Sequence, residues 1–191
     1  MATQNSSPAI AGRETLRVVI LDRHPATRTG LDAILRLTPG IVPVGAAADR
    51  RELWPLLGAA EPDVVVIDDL RLCLAIRARI PEARVVLHTA GAGPDDVVPA
   101  TFAGASAIVA KTASTAELVA AIEGELELPA ITPRMQRRAA EQLEGPDRAI
   151  LAMRLARTPD GDIAELIGIS SAVFAARCAA IMARLASRRE P

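Results

Sequence analysis

A run of β-branched residues followed by two carboxylates places strong limits on how this chain folds. Residues 64–67 read Val-Val-Val-Ile without a polar break, and Asp68 and Asp69 follow directly. A strand that is apolar on both faces is typical of the middle of a parallel sheet covered by helices. Ligands of such sheets bind at the carboxyl ends of the strands. We therefore expect Asp68 to be a nucleophile, a metal ligand or a helix cap.

Predicted strands and helices alternate through the first 128 residues. This alternation predicts an α/β domain, a (βα)5 doubly wound parallel sheet with helices on both faces. The predicted strands are 16–21, 41–47, 64–68, 84–89 and 107–110, and the predicted helices are 25–36, 49–59, 72–80, 95–103 and 115–127. Pro55 and Pro99 fall inside two of these helices, where we expect a kink or an early end.

Several predicted strands end in side chains that suit phosphoryl transfer. That chemistry needs a carboxylate nucleophile, a hydroxyl and an ammonium for the transferred oxygens, and commonly a divalent cation. The candidates at the strand ends are Asp22, Asp68, Asp69, Thr89 and Lys111, the last being the only lysine of the chain. Because the carboxyl ends of parallel strands meet at one edge of a sheet, we expect these side chains to form one pocket.

Four segments of this first domain match the motifs of a known family. They are residues 18–25 (Val-Val-Ile-Leu-Asp-Arg-His-Pro), 63–68, 85–90 and 104–111. With them, residues 16–128 resemble the receiver domain of bacterial two-component response regulators. The resemblance implies that Asp68 is the phosphoacceptor, that Thr89 and Lys111 sense the phosphate, and that Asp22 is one of the acids of a Mg²⁺ site.

The chain departs from that family's pattern at three places. Arg23 replaces the second acid, usually the direct Mg²⁺ ligand, and its guanidinium can pair with Asp68 and take the place of the metal. The Met-Pro-Gly-x-Asp-Gly loop after the phosphoacceptor is absent, and Ile108 replaces the aromatic switch residue. We therefore predict a receiver that works without phosphorylation and without a cofactor. Asp22 and Asp68 would be Mg²⁺ ligands only if the ion still binds, as in a conventional phosphorylation-switched regulator.

A second, smaller domain is predicted after a linker and connecting helix at residues 129–142. Residues 143–188 show three segments with helical spacing, and a tight turn at residues 168–170 separates the last two, which is the layout of a helix-turn-helix. This part resembles, without gaps over residues 143–185, the LuxR-type domain of NarL/FixJ response regulators. Residues 129–191 hold 10 basic and 7 acidic residues against 12 and 16 in residues 1–128. A basic small domain favours nucleic acid as a partner.

The predicted recognition helix lacks most of the polar side chains that the LuxR-type family presents to DNA. That family usually has Thr, Lys and Asn at positions that here are Val173, Ala175 and Ala176. Apolar side chains cannot donate to phosphates or read base edges, apart from contact with thymine methyl groups. The remaining candidates for DNA contact are Ser170, Ser171, Arg177 and Arg184. An alanine-rich helix face also suits packing against a protein partner or a second copy.

Together these features predict an atypical response regulator that acts as a DNA-binding transcriptional regulator and is not an enzyme. Leu70 stands where aspartate-nucleophile phosphatases need a second acid. The expected partners are DNA, a second copy of the chain in a homodimer, and a sensor kinase or another protein. The alternative is a protein-interaction module that does not bind DNA. No apolar run approaches the roughly 18 residues of a membrane helix, and residues 1–7 lack the pattern of a signal peptide, so we expect a cytoplasmic protein without membrane contact.

Overall fold

The computed structural model describes residues 15–186, and its first part is a five-stranded parallel sheet. The strands are β1 (Leu16–Leu21), β2 (Ile41–Ala47), β3 (Val64–Ile67), β4 (Arg84–Thr89) and β5 (Ala107–Ala110), in the order β2-β1-β3-β4-β5. The helices that alternate with them are α1 (Pro25–Arg36), α2 (Arg50–Ala60), α3 (Leu70–Arg79), α4 (Pro94–Ala103) and α5 (Thr115–Glu123). The predicted α/β sheet with helices on both faces is confirmed. Residues 1–7, where we predict no signal peptide, and residues 187–188 of the predicted second domain lie outside the described residues.

The buried strand β3 lies in the middle of the sheet, and all four of its side chains are buried. Val64 and Val66 belong to the hydrophobic cluster of one sheet face, formed with α1 and α5. Val65 and Ile67 belong to the cluster of the other face, formed with α2, α3 and α4. This two-sided burial fixes the end of β3, and with it the position of Asp68.

The second part of the chain consists of four helices that pack onto the first. They are α6 (Pro133–Ala140), α7 (Gly145–Leu155), α8 (Asp160–Leu166) and α9 (Ser171–Ala186). Helices α6, α7 and α9 contact α4, and α9 also contacts α3. Their buried side chains join the cluster of the α2–α3–α4 face, so that one hydrophobic core runs through both parts. Sequence analysis did not predict this shared core.

The prolines inside the predicted helices do not end them. Helix α2 continues past Pro55 to Ala60, and α4 continues past Pro99 to Ala103, so the expectation of an early end is wrong. Pro55 is exposed, so water can satisfy the carbonyl that loses its partner. In α4 the burial of Val97–Ala100 offsets the lost hydrogen bond. Helix α5 ends at Glu123, four residues earlier than predicted, because Gly124 has φ +90°.

No single helix within residues 15–186 is both long and apolar enough to cross a bilayer. Helices α8 and α9 together reach that length and hydropathy, but they are bent by 104° at the turn between them.

Candidate functional site

The carboxyl ends of β1, β3 and β5 bring three of the predicted site residues together. Asp22 follows β1, Asp68 follows β3 and Lys111 follows β5. The Asp68 N–H donates to the Leu21 carbonyl at 3.1 Å, and the Lys111 N–H donates to the Thr89 carbonyl at 2.7 Å. The pocket is therefore held by backbone hydrogen bonds that extend the sheet past its last strand residues.

One ammonium group lies between the two carboxylates of this pocket. The Nζ atom of Lys111 is 2.5 Å from Oδ2 of Asp22 and 3.7 Å from Oδ2 of Asp68. The Asp22 side chain is only 1% exposed. Burial alone would raise the pKa of the Asp22 carboxyl, but the hydrogen bond and charge of Lys111, with the hydrogen bond from the His24 backbone N–H, outweigh it and lower that pKa.

Arg23 contacts Asp68 mainly through its backbone. Its N–H donates to Oδ2 of Asp68 at 3.1 Å, whereas Nε of its guanidinium lies 4.0 Å from the same oxygen and its side chain is 80% exposed. This corrects the expectation that the Arg23 guanidinium takes the place of the metal. Successive side chains of an extended segment alternate in direction, so Asp22 points inward and Arg23 points towards water. Lys111 occupies the space between the carboxylates instead.

His24 is a member of the pocket that sequence analysis missed. Its backbone N–H donates to Oδ1 of Asp22 at 2.8 Å, and its Nδ1 atom lies 3.1 Å from the same oxygen and 3.5 Å from Nζ of Lys111. His24 is also the residue that precedes α1, whose first residue is Pro25. The sequence signal was available, since His24 lies two positions after the strand-end carboxylate.

The other two predicted pocket residues have different roles. Asp69 caps α3, because its carboxylate accepts a hydrogen bond from the Arg71 N–H at 2.9 Å. The helix-cap alternative that we considered for Asp68 therefore applies to its neighbour. Thr89 ends β4 and is buried, at the same edge of the sheet as Lys111.

His88 lies next to this pocket inside β4. Burial, and then the charge of Lys111, lower the pKa of its imidazole, while Asp22 and Asp68 act in the opposite direction. A neutral imidazole at pH 7 follows from this balance.

The pocket offers a mixed set of metal-binding atoms. Asp22, His24 and Asp68 each offer one such atom, and these atoms lie within 4.8 Å of one another. Mg²⁺, which the fold family implies, prefers an octahedron of oxygens. Here one of the three atoms is a nitrogen, and the Lys111 ammonium lies against both carboxylates. The donor set therefore does not fit Mg²⁺.

The predicted DNA-contacting residues lie at the start and along one side of α9. The Ser170 hydroxyl accepts from the Val173 N–H at 3.3 Å and so caps the helix, and Ser171 is exposed. Nε of Arg177 is 2.9 Å from Oδ1 of Asp147, and an Nη atom of Arg184 is 3.3 Å from its Oδ2. Both arginine side chains are thus anchored on a buried carboxylate of α7.

Apart from Ser171, the exposed surface of α8 and of the first turns of α9, before Arg177, is apolar or acidic. Leu166 is 75% exposed and Val173 is 52% exposed. Ala175 and Ala176 are exposed as well, as the predicted groove-facing positions require. The charged residues of α8 are all acidic, namely Asp160, Asp162 and Glu165.

Residues 18–123, more than half of the chain, match the family model of the response regulator receiver domain. The chain belongs to this family. It is 26% identical to the nitrate/nitrite response regulator protein NarL of Escherichia coli K12 over 183 residues, which covers 84% of this chain and 85% of NarL. A NarL/FixJ-type response regulator, as the sequence predicts, is thereby confirmed.

Two further similarities cover part of the chain. The chain is 30% identical to the DNA-binding transcriptional activator DevR/DosR of Mycobacterium tuberculosis over 115 residues, and so spans about half the length of that protein. The crystal structure of a LuxR-family two-component response regulator from Aurantimonas is 31% identical, with a TM-score of 0.54, and covers 67% of this chain and 97% of that one. The relatives are transcription regulators, which agrees with the prediction that this response regulator is not an enzyme.

Proposed function

We propose that this response regulator is a DNA-binding transcriptional regulator whose receiver domain works independently of phosphorylation at Asp68. Relatives with names such as DNA-binding transcriptional activator support the DNA-binding part. The receiver part rests on one observation, the Lys111 ammonium between Asp22 and Asp68 in a pocket that has Arg23 instead of a further acid.

The charge balance of the pocket supports the proposal, because its positive groups oppose the divalent cation that phosphoryl transfer commonly uses. A phosphoryl group brings further negative charge, which a divalent cation commonly offsets. The two carboxylates are already neutralised in part by Lys111, and Arg23 adds a second positive group at 4.0 Å from Asp68. A cation would have to displace the ammonium from Asp22. The pocket therefore keeps one arrangement of charges and has no need of Mg²⁺.

The experiment tests whether a phosphodonor modifies the purified protein and whether replacing Asp68 changes its DNA binding. Wild type is incubated with acetyl phosphate and Mg²⁺ and examined by intact mass spectrometry, and Asp68→Asn is compared with it for DNA binding by fluorescence anisotropy. We expect an unmodified wild type and a DNA affinity of Asp68→Asn within about twofold of wild type, a difference smaller than 0.5 kcal/mol. A phosphorylated wild type, or loss of DNA binding in Asp68→Asn, would overturn the proposal.

The DNA contact is expected to be mainly with the phosphate backbone. The Arg177 guanidinium lies 2.9 Å from Asp147, and the side chains of Arg177 and Arg184 remain partly exposed. Each phosphate contact contributes roughly one unit to the slope of log affinity against log salt. We expect Arg177→Ala to reduce this slope by about one unit. The control is Arg51→Ala, which changes an exposed arginine of α2.

We also propose that the protein acts as a homodimer, because two helix-turn-helix domains bind paired half-sites. Light scattering at the concentrations used for DNA binding tests this. A sensor kinase or another protein as an upstream partner stays a prediction.

A second candidate function is favoured by the surface of α8 and α9. Exposed Leu166 and Val173, together with the acidic α8, suit a protein partner better than a phosphate backbone. In that case the chain is a protein-interaction module that does not bind DNA. The salt titration separates the two functions, since a module of this kind shows no salt-dependent binding to duplex DNA.

A further inference from the structure

We propose that a cleft between the receiver domain and the C-terminal helices binds an amphipathic organic anion, a molecule with an apolar body and one carboxylate, sulfonate or phosphate group. We further propose that this ligand supplies the input that Asp68 does not. The second statement rests on the proposed function, because a regulator that is not switched by phosphorylation needs another signal.

The cleft has the size and the position of a small-molecule site. Its volume is about 570 Å³, within the range of roughly 300–1,000 Å³ that is usual for ligand pockets, which favour domain interfaces. Apolar side chains from three helices line it, namely Val98 and Pro99 of α4, Met135 and Ala139 of α6, and Leu185 of α9.

The charged side chains around the cleft leave one cation available. Arg138 of α6 donates to Asp95 of α4 at 2.9 Å, so these two charges offset each other. Asp96 accepts from the Gly93 N–H at 3.0 Å in the first turn of α4, where the helix dipole stabilises a negative charge. Arg134 also lines the cleft, and within residues 15–186 no carboxylate lies at ion-pair distance from its guanidinium. Arg134 is therefore placed to bind the anionic group of a ligand.

The walls of the cleft belong to the elements that join the two domains. Helix α6 connects them along the chain, and α4 is the receiver helix against which α6, α7 and α9 pack. Leu185 lies near the end of α9 and belongs to the shared core. A molecule that wedges between α4 and α6 must change the contacts of both, and α4 also contacts α9. Occupancy of the cleft is thereby coupled to the helix that carries Arg177 and Arg184.

The test uses 1-anilinonaphthalene-8-sulfonate as a probe, because it combines an aromatic body with one sulfonate. The full-length protein is titrated and the fluorescence is fitted for stoichiometry and affinity. We expect one site per chain, about tenfold weaker binding in Arg134→Gln, and no binding in Met135→Trp, which fills the cleft. The matched control is Arg137→Gln, on the same helix but outside the cleft, which we expect to bind as wild type does. Equal affinities of Arg134→Gln and Arg137→Gln, several sites per chain, or undiminished binding to Met135→Trp would overturn the site.

The coupling between occupancy of the cleft and helix α9 is measured separately, by hydrogen exchange with mass spectrometry. Saturating probe is expected to slow exchange in α4, α6 and α9 of wild type, while α1 and α5 stay unchanged. Slower exchange confined to α4 and α6 would overturn the coupling to α9. The proposed function fails by a different result: phosphorylation of wild type by acetyl phosphate would overturn it while probe binding at Arg134 stands. If the probe does not bind and acetyl phosphate leaves Asp68 unmodified, the ligand site in the cleft is overturned and the proposed function stands.

Discussion

The receiver pocket and the C-terminal helices bury charged groups in opposite proportions. In the receiver one ammonium lies against two carboxylates, and in the C-terminal helices one carboxylate lies against two guanidinium groups. The groups are Lys111 with Asp22 and Asp68 in the first cluster, and Asp147 with Arg177 and Arg184 in the second. The first cluster has an excess of negative charge, which suits a cation or a proton. The second places the partly exposed Arg177 guanidinium beside one carboxylate, which suits contact with a phosphate.

The two clusters also differ in how much water reaches them. Asp22 is 1% exposed, so its charge depends on the protein for its stabilisation. The side chains of Arg177 and Arg184 are 37% and 47% exposed, so water can solvate them if their partner is removed. We therefore expect the loss of Lys111 to reduce the free energy of unfolding more than the loss of Asp147 does.

Replacement of Lys111 by methionine should give the largest loss of stability. Removing one partner of a buried ion pair costs roughly 3–5 kcal/mol, and we expect about 3 kcal/mol at pH 7 because Asp22 can take up a proton. Lys111 holds the folded-state pKa of Asp22 below its unfolded value. That stabilisation is present above the unfolded pKa of about 3.9 and is lost as the pH falls through the folded pKa. The difference between wild type and variant should therefore hold down to about pH 4 and shrink only below it.

Urea denaturation at pH 7 and at about pH 3 measures this effect. The control is Arg36→Met, which breaks the exposed ion pair of Arg36 with Asp32 on α1 and should cost much less stability at both pH values. Equal losses for the two variants, or a loss for Lys111→Met that is independent of pH, would contradict the role assigned to the lysine.

The contrast between the clusters shows what the sequence could predict. Asp22, Asp68 and Lys111 were predicted because each follows a short apolar strand, and parallel strands end at one edge of a sheet. The direction of the Arg23 side chain was not predicted correctly. Its residue type indicates a charge, but strand alternation and the reach of Lys111 decide which cation lies between the carboxylates. Long-range distances of this kind are not encoded in local spacing.

The packing of the two domains was also missed, although the sequence carried a signal. Residues 97–103 of α4 are apolar or small around the whole helix, and all but Thr101 are buried. A helix that is apolar on all sides is covered on all sides. The receiver sheet covers only one side of α4, so this pattern indicates that the C-terminal helices cover the other. The ion pairs of Asp147 depend on contacts between α7 and α9 and carry no comparable signal in the sequence.

Replacement of Asp147 by asparagine should give a smaller loss of stability. The amide keeps the volume and can still accept hydrogen bonds, and both arginines can turn to water, so we expect about 1–2 kcal/mol. The Arg177 guanidinium should then bind phosphates more readily, and DNA affinity at low salt should rise about threefold, since the buried carboxylate no longer competes for it. Urea denaturation and anisotropy measure the two effects.

The control for Asp147→Asn is Glu82→Gln, which removes an exposed acid of the receiver domain between α3 and β4. It changes the net charge equally and should leave both stability and DNA affinity unchanged. An equal rise of DNA affinity in the two variants would show that net charge, rather than loss of the Arg177–Asp147 ion pair, is responsible.

Replacement of Arg23 by aspartate should change stability least and the pocket's ligand preference most. The side chain is 80% exposed and its guanidinium is at the limit of ion-pair distance, so without metal we expect a change within about 0.5 kcal/mol. The variant adds a carboxylate oxygen beside Asp68 and increases the negative excess of the pocket. Mg²⁺ at millimolar concentration should then raise the melting temperature of the variant but not of wild type, because only a state that binds the ion is stabilised by it.

A variant that gains no stability from Mg²⁺ would mean that the Lys111 ammonium, and not the missing acid, keeps the ion out. The double variant with Lys111→Met then decides between the two, since removal of the ammonium should permit Mg²⁺ binding if it is the obstacle.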